Sequence, residues 1–387
     1  MKRIIIQLLL LQIVCSCNNK IDASYTVYES DTVWHIDLNP FLENVLLDER
    51  EILDSQRFVC LETNDESLVS SVSGIVISDD RIFINDNYLN GGVVIFDTAG
   101  KFINRIPHGN GPGEISRVIN MGYDKRREKL LVLGNSLMSF DKNGNYQESK
   151  YMDFPCDRVV AFCKNSYIFS KVYGHPSAYS ELDNYSLIVT DTLFRVKQLL
   201  LPYNSCQEKL SAPNVATERL GGYCISPPFA DTIYCFRNDS LFPLITLDYS
   251  SKRLNAEQFS SLEEYIENVI ITKKTKGFRF EGNYLENSTH QFIGLMEGNS
   301  ECLIFRDKST NNVVSGTAVV NDPNLAVSIS GPVGVSGDWF YEVQNAQNFN
   351  HNTITSNRYI SKEDLADLEN LKPDSNPFIV FYKLKDF

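Results

Sequence analysis

Apolar residues in this chain come in short runs closed by turn-forming residues, and one run repeats with its turn. Val93-Val94-Ile95-Phe96-Asp97-Thr98-Ala99-Gly100-Lys101-Phe102 returns 44 residues later as Leu137-Met138-Ser139-Phe140-Asp141-Lys142-Asn143-Gly144-Asn145-Tyr146. Each copy reads as a strand, an Asp-x-x-Gly turn and a second strand, the glycine supplying the positive φ that such a turn needs. Weaker copies lie at 187–191, 233–239, 302–308 and 378–383. With Phe96, Phe140, Thr190, Phe236, Phe305 and Phe381 as markers, the spacings are 44, 50, 46, 69 and 76, which makes six units. In the first unit, strands at 72–77 and 81–85 flank the turn Ser78-Asp79-Asp80, and strands at 92–96 and 101–106 follow. Four short antiparallel strands per unit, repeated six times, predict an all-β fold, a six-bladed β-propeller. A single unit of this size cannot bury both its faces, so neighbours must stack and the ring must close.

The last unit ends at Phe387 with no room for a fourth strand after Phe378 to Lys383, while the early strand Thr32 to Leu38 precedes the first unit and needs a sheet. Pairing the chain ends is therefore expected to close the ring through an N-terminal strand. The two long spacings hold insertions. Residues 252–274 carry Phe259, Leu262, Tyr265, Ile266, Val269 and Ile270 at helical spacing, which predicts a helix entering the fifth blade. Residues 344–376 are polar and contain a second, short helix capped at Ser361, with Glu363 and Asp364 in its first turn.

The start of the chain has a different pattern. Lys2 and Arg3 precede an apolar run from Ile4 to Val14 that is too short to span a bilayer and has the form of a secretory signal. Val14-Cys15-Ser16-Cys17 resembles the bacterial lipobox; by that resemblance Cys17 carries the lipid, residues 1–16 are removed, 17–31 form a tether and 32–387 the propeller. Loss of Lys2 and Arg3 takes the formal charge from -13 to -15, which argues against nucleic acid and anionic lipid surfaces as partners. Seven cysteines remain after Cys15 and Cys17, without a C-x-x-C spacing. Most read as small buried hydrophobes, and Cys224 with Cys235 is the pair to test for a disulfide.

Little of the sequence points to a reaction. Gly109-Asn110-Gly111-Pro112-Gly113-Glu114 lacks the Lys-Ser/Thr of a phosphate loop, and Pro112 removes a donor, so it reads as a connection between blades. His108, Glu114 and Arg117 around it are candidate ligand contacts at one mouth of the channel. No G-x-S-x-G, H-E-x-x-H or D-x-D-x-D-G occurs and the five histidines are scattered, so no catalytic or metal residue and no cofactor is assigned. Asp80, Glu114, Asp124 and Glu281 are channel acids to examine if blades assemble a site jointly. Asp followed by Ser or Thr and an apolar residue, at Thr32, Thr98, Thr192, Thr232 and Ser240, resembles the O-glycosylation sites of Bacteroidetes envelope proteins, although it is also ordinary turn chemistry.

Phe58 to Leu68, Val94 to Lys101, Gly109 to Glu114, Asp231 to Tyr234 and Asn376 to Lys383, in that order, resemble the six-bladed β-propeller lipoproteins of Bacteroidetes, which are similar to NHL-repeat propellers. The resemblance implies the fold and an envelope location, with an outer-membrane anchor, and carries over no catalytic residue. The expected function is a lipid-anchored envelope module presenting a propeller face to a glycan, peptide or partner protein. A lactonase, lyase or hydrolase with a site in the channel is the alternative. The anchor has a direct test: Cys17→Ala should move the protein from the membrane to the soluble fraction of the native host, and unchanged membrane retention would refute it.

Overall fold

The computed structural model describes residues 33–86, 91–163, 165–174, 180–210, 212–219, 222–320, 322, 325–349 and 359–387. The signal, Cys17, the tether and Thr32 lie outside them. The chain folds as a six-bladed β-propeller. Blade one holds strands Val72–Ile77, Ile82–Asp86, Val93–Phe96 and Phe102–Ile106. Blade two holds Asn120–Asp124, Lys129–Leu133, Leu137–Asp141 and Tyr146–Lys150, and blade three Arg158–Phe162, Tyr167–Ser170, Tyr185–Thr190 and Val196–Pro202. Blade four holds Val215–Arg219, Gly222–Ser226, Thr232–Arg237 and Ser240–Asp248, and blade five Phe278–Glu286, His290–Glu297, Ser300–Asp307 and Val313–Gly316. Blade six is assembled from both ends: Gly334–Ser336, Trp339–Gln344 and Phe378–Leu384, with Leu53–Cys60 as its outer strand. All six sequence markers fall on third strands.

The middle strands read as unbroken apolar runs because each blade is buried on both faces. Ile82 and Ile84 enter the core shared by blades six and one, whereas Phe83 between them points into the core shared by blades one and two. Val94 and Phe96 pair with the former, Val93 and Ile95 with the latter. The same alternation builds the four remaining inter-blade cores.

The repeated aspartate explains the turns between third and fourth strands. Asp97 Oδ1 accepts from the amides of Ala99 and Lys101, both at 2.9 Å. Asp141 does the same for Asn143 and Asn145 at 2.8 and 2.9 Å, and Asp191 for Leu193 and Arg195 at 2.8 and 2.9 Å. Gly100 and Gly144 take the left-handed position with φ of 84° each; the third copy lacks a glycine and Phe194 occupies it at 62°. There the Phe194 ring stacks on Tyr167 at 5.1 Å, contact that offsets the backbone cost.

An N-terminal strand closes the ring, but not the one expected. Residues 34–37 lie parallel to the outer strand of blade four, from Trp34 opposite Ile245 to Asp37 opposite Asp248. Closure is made by Leu53–Cys60, antiparallel to Phe378–Leu384 with Cys60 opposite Phe378. The segment at 34–37 is taken up by blade four, so the open edge of Phe378–Leu384 falls to Leu53–Cys60. Ile36, Leu38 and Leu42 instead seal the core between blades four and five.

The insertion at 252–274 also departs from a single helix. Residues 250–252 and 256–258 form separate 3-10 turns, and Leu262–Tyr265 is α-helical before passing into a π-helix over Ile266–Ile271. The breaks follow from local capping: Asn255 accepts from Glu257 N at 3.1 Å and Ser261 from Glu264 N at 3.2 Å, each starting its own turn. The piece sits in the connection from blade four to the first strand of blade five. The second helix forms as expected over Lys362–Glu369, with Ser361 accepting from Asp364 N at 3.1 Å. The seven described cysteines are free thiols; Cys224 and Cys235 stand opposite each other on paired strands without bonding.

Two segments distant in sequence lock the closure. Asn376 is fully buried. Its Oδ1 accepts from Val69 N at 2.7 Å, and its Nδ2 donates to the carbonyls of Glu62 at 2.7 Å and Ser67 at 2.9 Å. Asn376→Ala leaves the Val69 amide and the Ser67 carbonyl unpaired, at about 1–3 kcal/mol for each buried group stranded, while Glu62 O keeps its bond from Ser67 Oγ at 2.6 Å. Chemical denaturation should show a loss of at least about 2 kcal/mol; a loss under about 0.5 kcal/mol would mean that water replaces the side chain.

Candidate functional site

The strand order gives the ring two unlike ends. First-to-second and third-to-fourth strand turns emerge at one end and are short, as at 78–81, 97–101 and 238–239. Connections between blades, and between second and third strands, emerge at the other. They include 61–71, 107–119, 203–214, 249–277, 317–333 and 345–377. Both helical insertions belong to this loop end. Of the exposed large apolar residues, Leu68, Ile119, Tyr151, Tyr173 and Val333 also lie there.

A cavity of about 860 Å³ opens at the loop end. Its walls come from the 68–75 segment, the first residues of the inner strands of blades two and three (Asn120 and Arg158), the 330–333 segment, and blade six around Glu342 and 373–377. Blades three and six are opposite in a six-membered ring, so the cavity crosses the mouth of the channel. Leu68 and Val333 form apolar lips, while Ser70, Ser71, Ser73, Asn120, Arg158, Ser330 and Glu342 make the interior polar.

The 330–333 wall is held by two buried carboxylates. Glu49, in the short helix Glu49–Ile52, accepts from Ile329 N and Ser328 Oγ at 2.5 Å each and from Asp322 N at 3.1 Å. Glu342 Oε2 accepts from Ser330 N at 3.2 Å and from Ser330 Oγ. Gly331 follows with φ of 115°, where a Cβ would come 3.1 Å from Glu301 Oε2 and Leu303 Cδ2. Loss of water around Glu342, reinforced by Glu49, outweighs the hydrogen bonding of Ser330 and Gln344 and pushes its carboxyl up to about 7. Glu342 Oε1 is buried with no hydrogen-bond partner among the described residues. Across the cavity Arg158 is partly buried, and its guanidinium makes no ion pair or hydrogen bond among the described residues. Burial lowers its pKa, against the pull of neighbouring Asp157.

His108, Glu114 and Arg117 all stand on the connection from blade one to blade two, at the loop end, but outside the cavity lining. Glu114 Oε2 accepts from Gly111 N at 2.7 Å and fills the space a side chain at Gly109 would need. Its carboxylate thus closes its own loop. His108 Nε2 lies 3.1 Å from Ser116 O, and Arg117 is exposed. Asp80 and Asp124 belong to the turn end, paired with Lys142 and with Arg127, and Glu281 pairs with Arg279 on the inner strand of blade five. These acids do not converge, and no group of three metal-ligating side chains occurs among the described residues. Thr98 and Thr192 are exposed on the aspartate turns; Thr232 donates to Asp231 Oδ1 at 3.2 Å and Ser240 to Asn238 O at 3.4 Å. Sequence reasoning missed Arg158 and Glu342, since neither sits in a motif and only the closed ring sets them around one space.

Fold and site together define a β-propeller with a ligand-sized polar cavity at its loop-rich end. The chain belongs to the family of the domain of unknown function DUF4934, whose model matches residues 34–383. It is similar to a crystal structure of a protein assigned as exported in Bacteroides fragilis, at 14% identity and a TM-score of 0.70, covering 92% of this chain and 100% of that one. It also resembles a protein of unknown function from Bacteroides thetaiotaomicron, at 10% identity and a TM-score of 0.41 over 86% of this chain and 76% of that one. No curated protein matches the sequence. No helix among the described residues is long and apolar enough to cross a membrane.

The raised Glu342 pKa has a defined stability signature. Between the ordinary 4.5 and about 7 the folded protein holds a proton that the unfolded chain has released, so this group's contribution falls as pH rises through that window. Glu342→Gln keeps the acceptor for Ser330 and removes the titration. Relative to wild type, its stability measured by urea unfolding should gain between pH 4.5 and 7. A wild-type-minus-variant difference that stays flat across the window would refute the shift.

Proposed function

We propose that this protein is a binding module of the cell envelope, held by lipid at Cys17, that receives a glycan, peptide or partner protein on the loop end of the propeller. The observation that carries this reading is the concentration of long connections, exposed apolar residues and a polar cavity of about 860 Å³ at one end of the ring, against tight turns at the other. A rigid ring with elaborated loops on one face is a scaffold for recognition. The N-terminal signal pattern and the exported Bacteroides neighbour support an extracytoplasmic location. Recognition of an enclosed ligand needs few polar groups set in a partly apolar mouth, and Leu68 and Val333 over the serines and Arg158 supply that combination.

One observation favours catalysis as a second reading: the Glu342 carboxyl at about 7 lies where a general acid or base works best. Turnover of a lactone or glycoside that follows a single ionisation near pH 7 and disappears in Glu342→Gln would select it.

The binding reading is tested by plugging each end. Ser71→Trp places a ring in the cavity mouth, and Thr98→Trp places one on an exposed turn at the opposite end. Binding to envelope glycan and peptide arrays should be lost in the first variant and kept in the second. Loss in Thr98→Trp alone, or no binding by the wild type, would overturn it.

A further inference from the structure

The cavity's unpaired groups narrow its ligand. Besides the exposed rim side chains of Asn345, Gln347 and Asp374, the wall holds five polar groups with no hydrogen-bond partner among the described residues: the Arg158 guanidinium, the Nδ2 of Asn120, the hydroxyls of Ser70 and Ser71, and Glu342 Oε1. The first four are donors. Asn120 uses its Oδ1 to accept from Val159 N at 3.0 Å, which fixes the amide with Nδ2 free. The backbone amides of Ser70 and Ser71 donate to Asp86 Oδ1 at 3.3 and 3.2 Å, which fixes the segment and leaves the hydroxyls uncommitted.

The charge inventory is as specific. The lining holds Arg158, Glu342 and, on the exposed rim, Asp374, with no lysine or histidine. In a chain of net charge -13, an unpaired and partly buried arginine facing a cavity, with Glu342 on the opposite blade and Asp374 out on the rim, is a single local point of positive charge. A single guanidinium matches a single negative charge and forms two parallel hydrogen bonds with a carboxylate. A phosphate dianion would ask for a second cation that the wall lacks, and would face Glu342. Glu342 itself suits a ligand hydroxyl: Ser330 occupies Oε2, and Oε1 remains to accept a hydrogen bond, or to donate one when protonated. The volume of about 860 Å³ suits a molecule the size of a disaccharide.

We infer that the cavity receives a small hydroxyl-bearing carboxylic acid, its carboxylate on Arg158 and its hydroxyls on Ser70, Ser71, Asn120 and Glu342. The inference rests on the binding-module reading and names the ligand class for it. Arg158 stands on blade three and Glu342 on blade six, opposite it in the ring, so the acid lies across the channel mouth with its charged end towards blade three.

Calorimetry on the mature chain tests this with a glucuronic acid-containing disaccharide, its methyl ester, inorganic phosphate and a short peptide with a free terminal carboxylate. The acid should bind about tenfold or more tightly than the ester, since the ester loses the charge-assisted pair. Arg158→Gln should bring the acid down to the level of the ester. Asn120→Asp keeps the acceptor for Val159 N while adding a negative charge, so it should weaken the acid and spare the ester even if the arginine variant folds poorly. Arg126→Gln, at the turn end, should change nothing. Equal binding of acid and ester, or a preference that survives both cavity variants, would overturn the carboxylate while leaving a binding module intact. Phosphate or the peptide binding as tightly as the acid would overturn the hydroxyl-bearing class. Failure of all four probes would overturn the ligand class, and binding on arrays that Ser71→Trp abolishes would still uphold the module.

Discussion

The pairing of Leu53–Cys60 with Phe378–Leu384 is the contact on which the rest of the structure depends. A blade has two apolar faces and no way to cover both alone, so each of the six inter-blade cores exists only if its blade has a neighbour on either side. Blade six has three strands from the end of the chain and one from near its start, and that single ladder of backbone hydrogen bonds converts a row of blades into a ring. Asn376 then fastens the connection that leaves the closing strand. The middle strands, flanked on both sides within their blade and covered on both faces by neighbouring blades, need few polar breaks.

The same junction builds the site. The 61–71 connection runs from the closing strand into blade one and supplies Leu68, Ser70 and Ser71 to the cavity, so the bonds that close the ring also position one wall. The opposite wall depends on Glu49, which precedes the closing strand and holds 328–329, and on Glu342, which holds Ser330. Placing two carboxylates in a water-poor interior costs stability that the backbone amides only partly offset. The cavity therefore sits beside two carboxylates whose pKa values burial raises, an arrangement found at sites that need preorganised polar groups.

Much of the fold was legible in the sequence because its causes are local and periodic. The Asp-x-x-Gly turns, the runs such as Ile82 to Ile84 and the markers from Phe96 to Phe381 repeat the same physical demand: a tight turn, then a strand buried on both faces. The errors came where the cause is not local. Trp34 to Asp37 looks as strand-like as Leu53 to Cys60, and only the core that each segment packs against decides between them. Helical spacing in 252–274 is real, yet Asn255 and Ser261 capture nearby amides and divide it. The site was hardly legible: Gly109 to Glu114 and His108 stood out by composition, whereas Arg158 and Glu342 lie in unremarkable strands 184 residues apart.

By itself the sequence determined that the chain repeats a four-stranded unit six times and must bury flat apolar faces against one another, since hydrophobic period and turn chemistry act within a few residues. Tertiary structure alone decided which strand closes the ring, which end carries the long connections around a cavity, and which side chains face it. Those are consequences of closure, a relation between residues hundreds of positions apart, and no local preference encodes them.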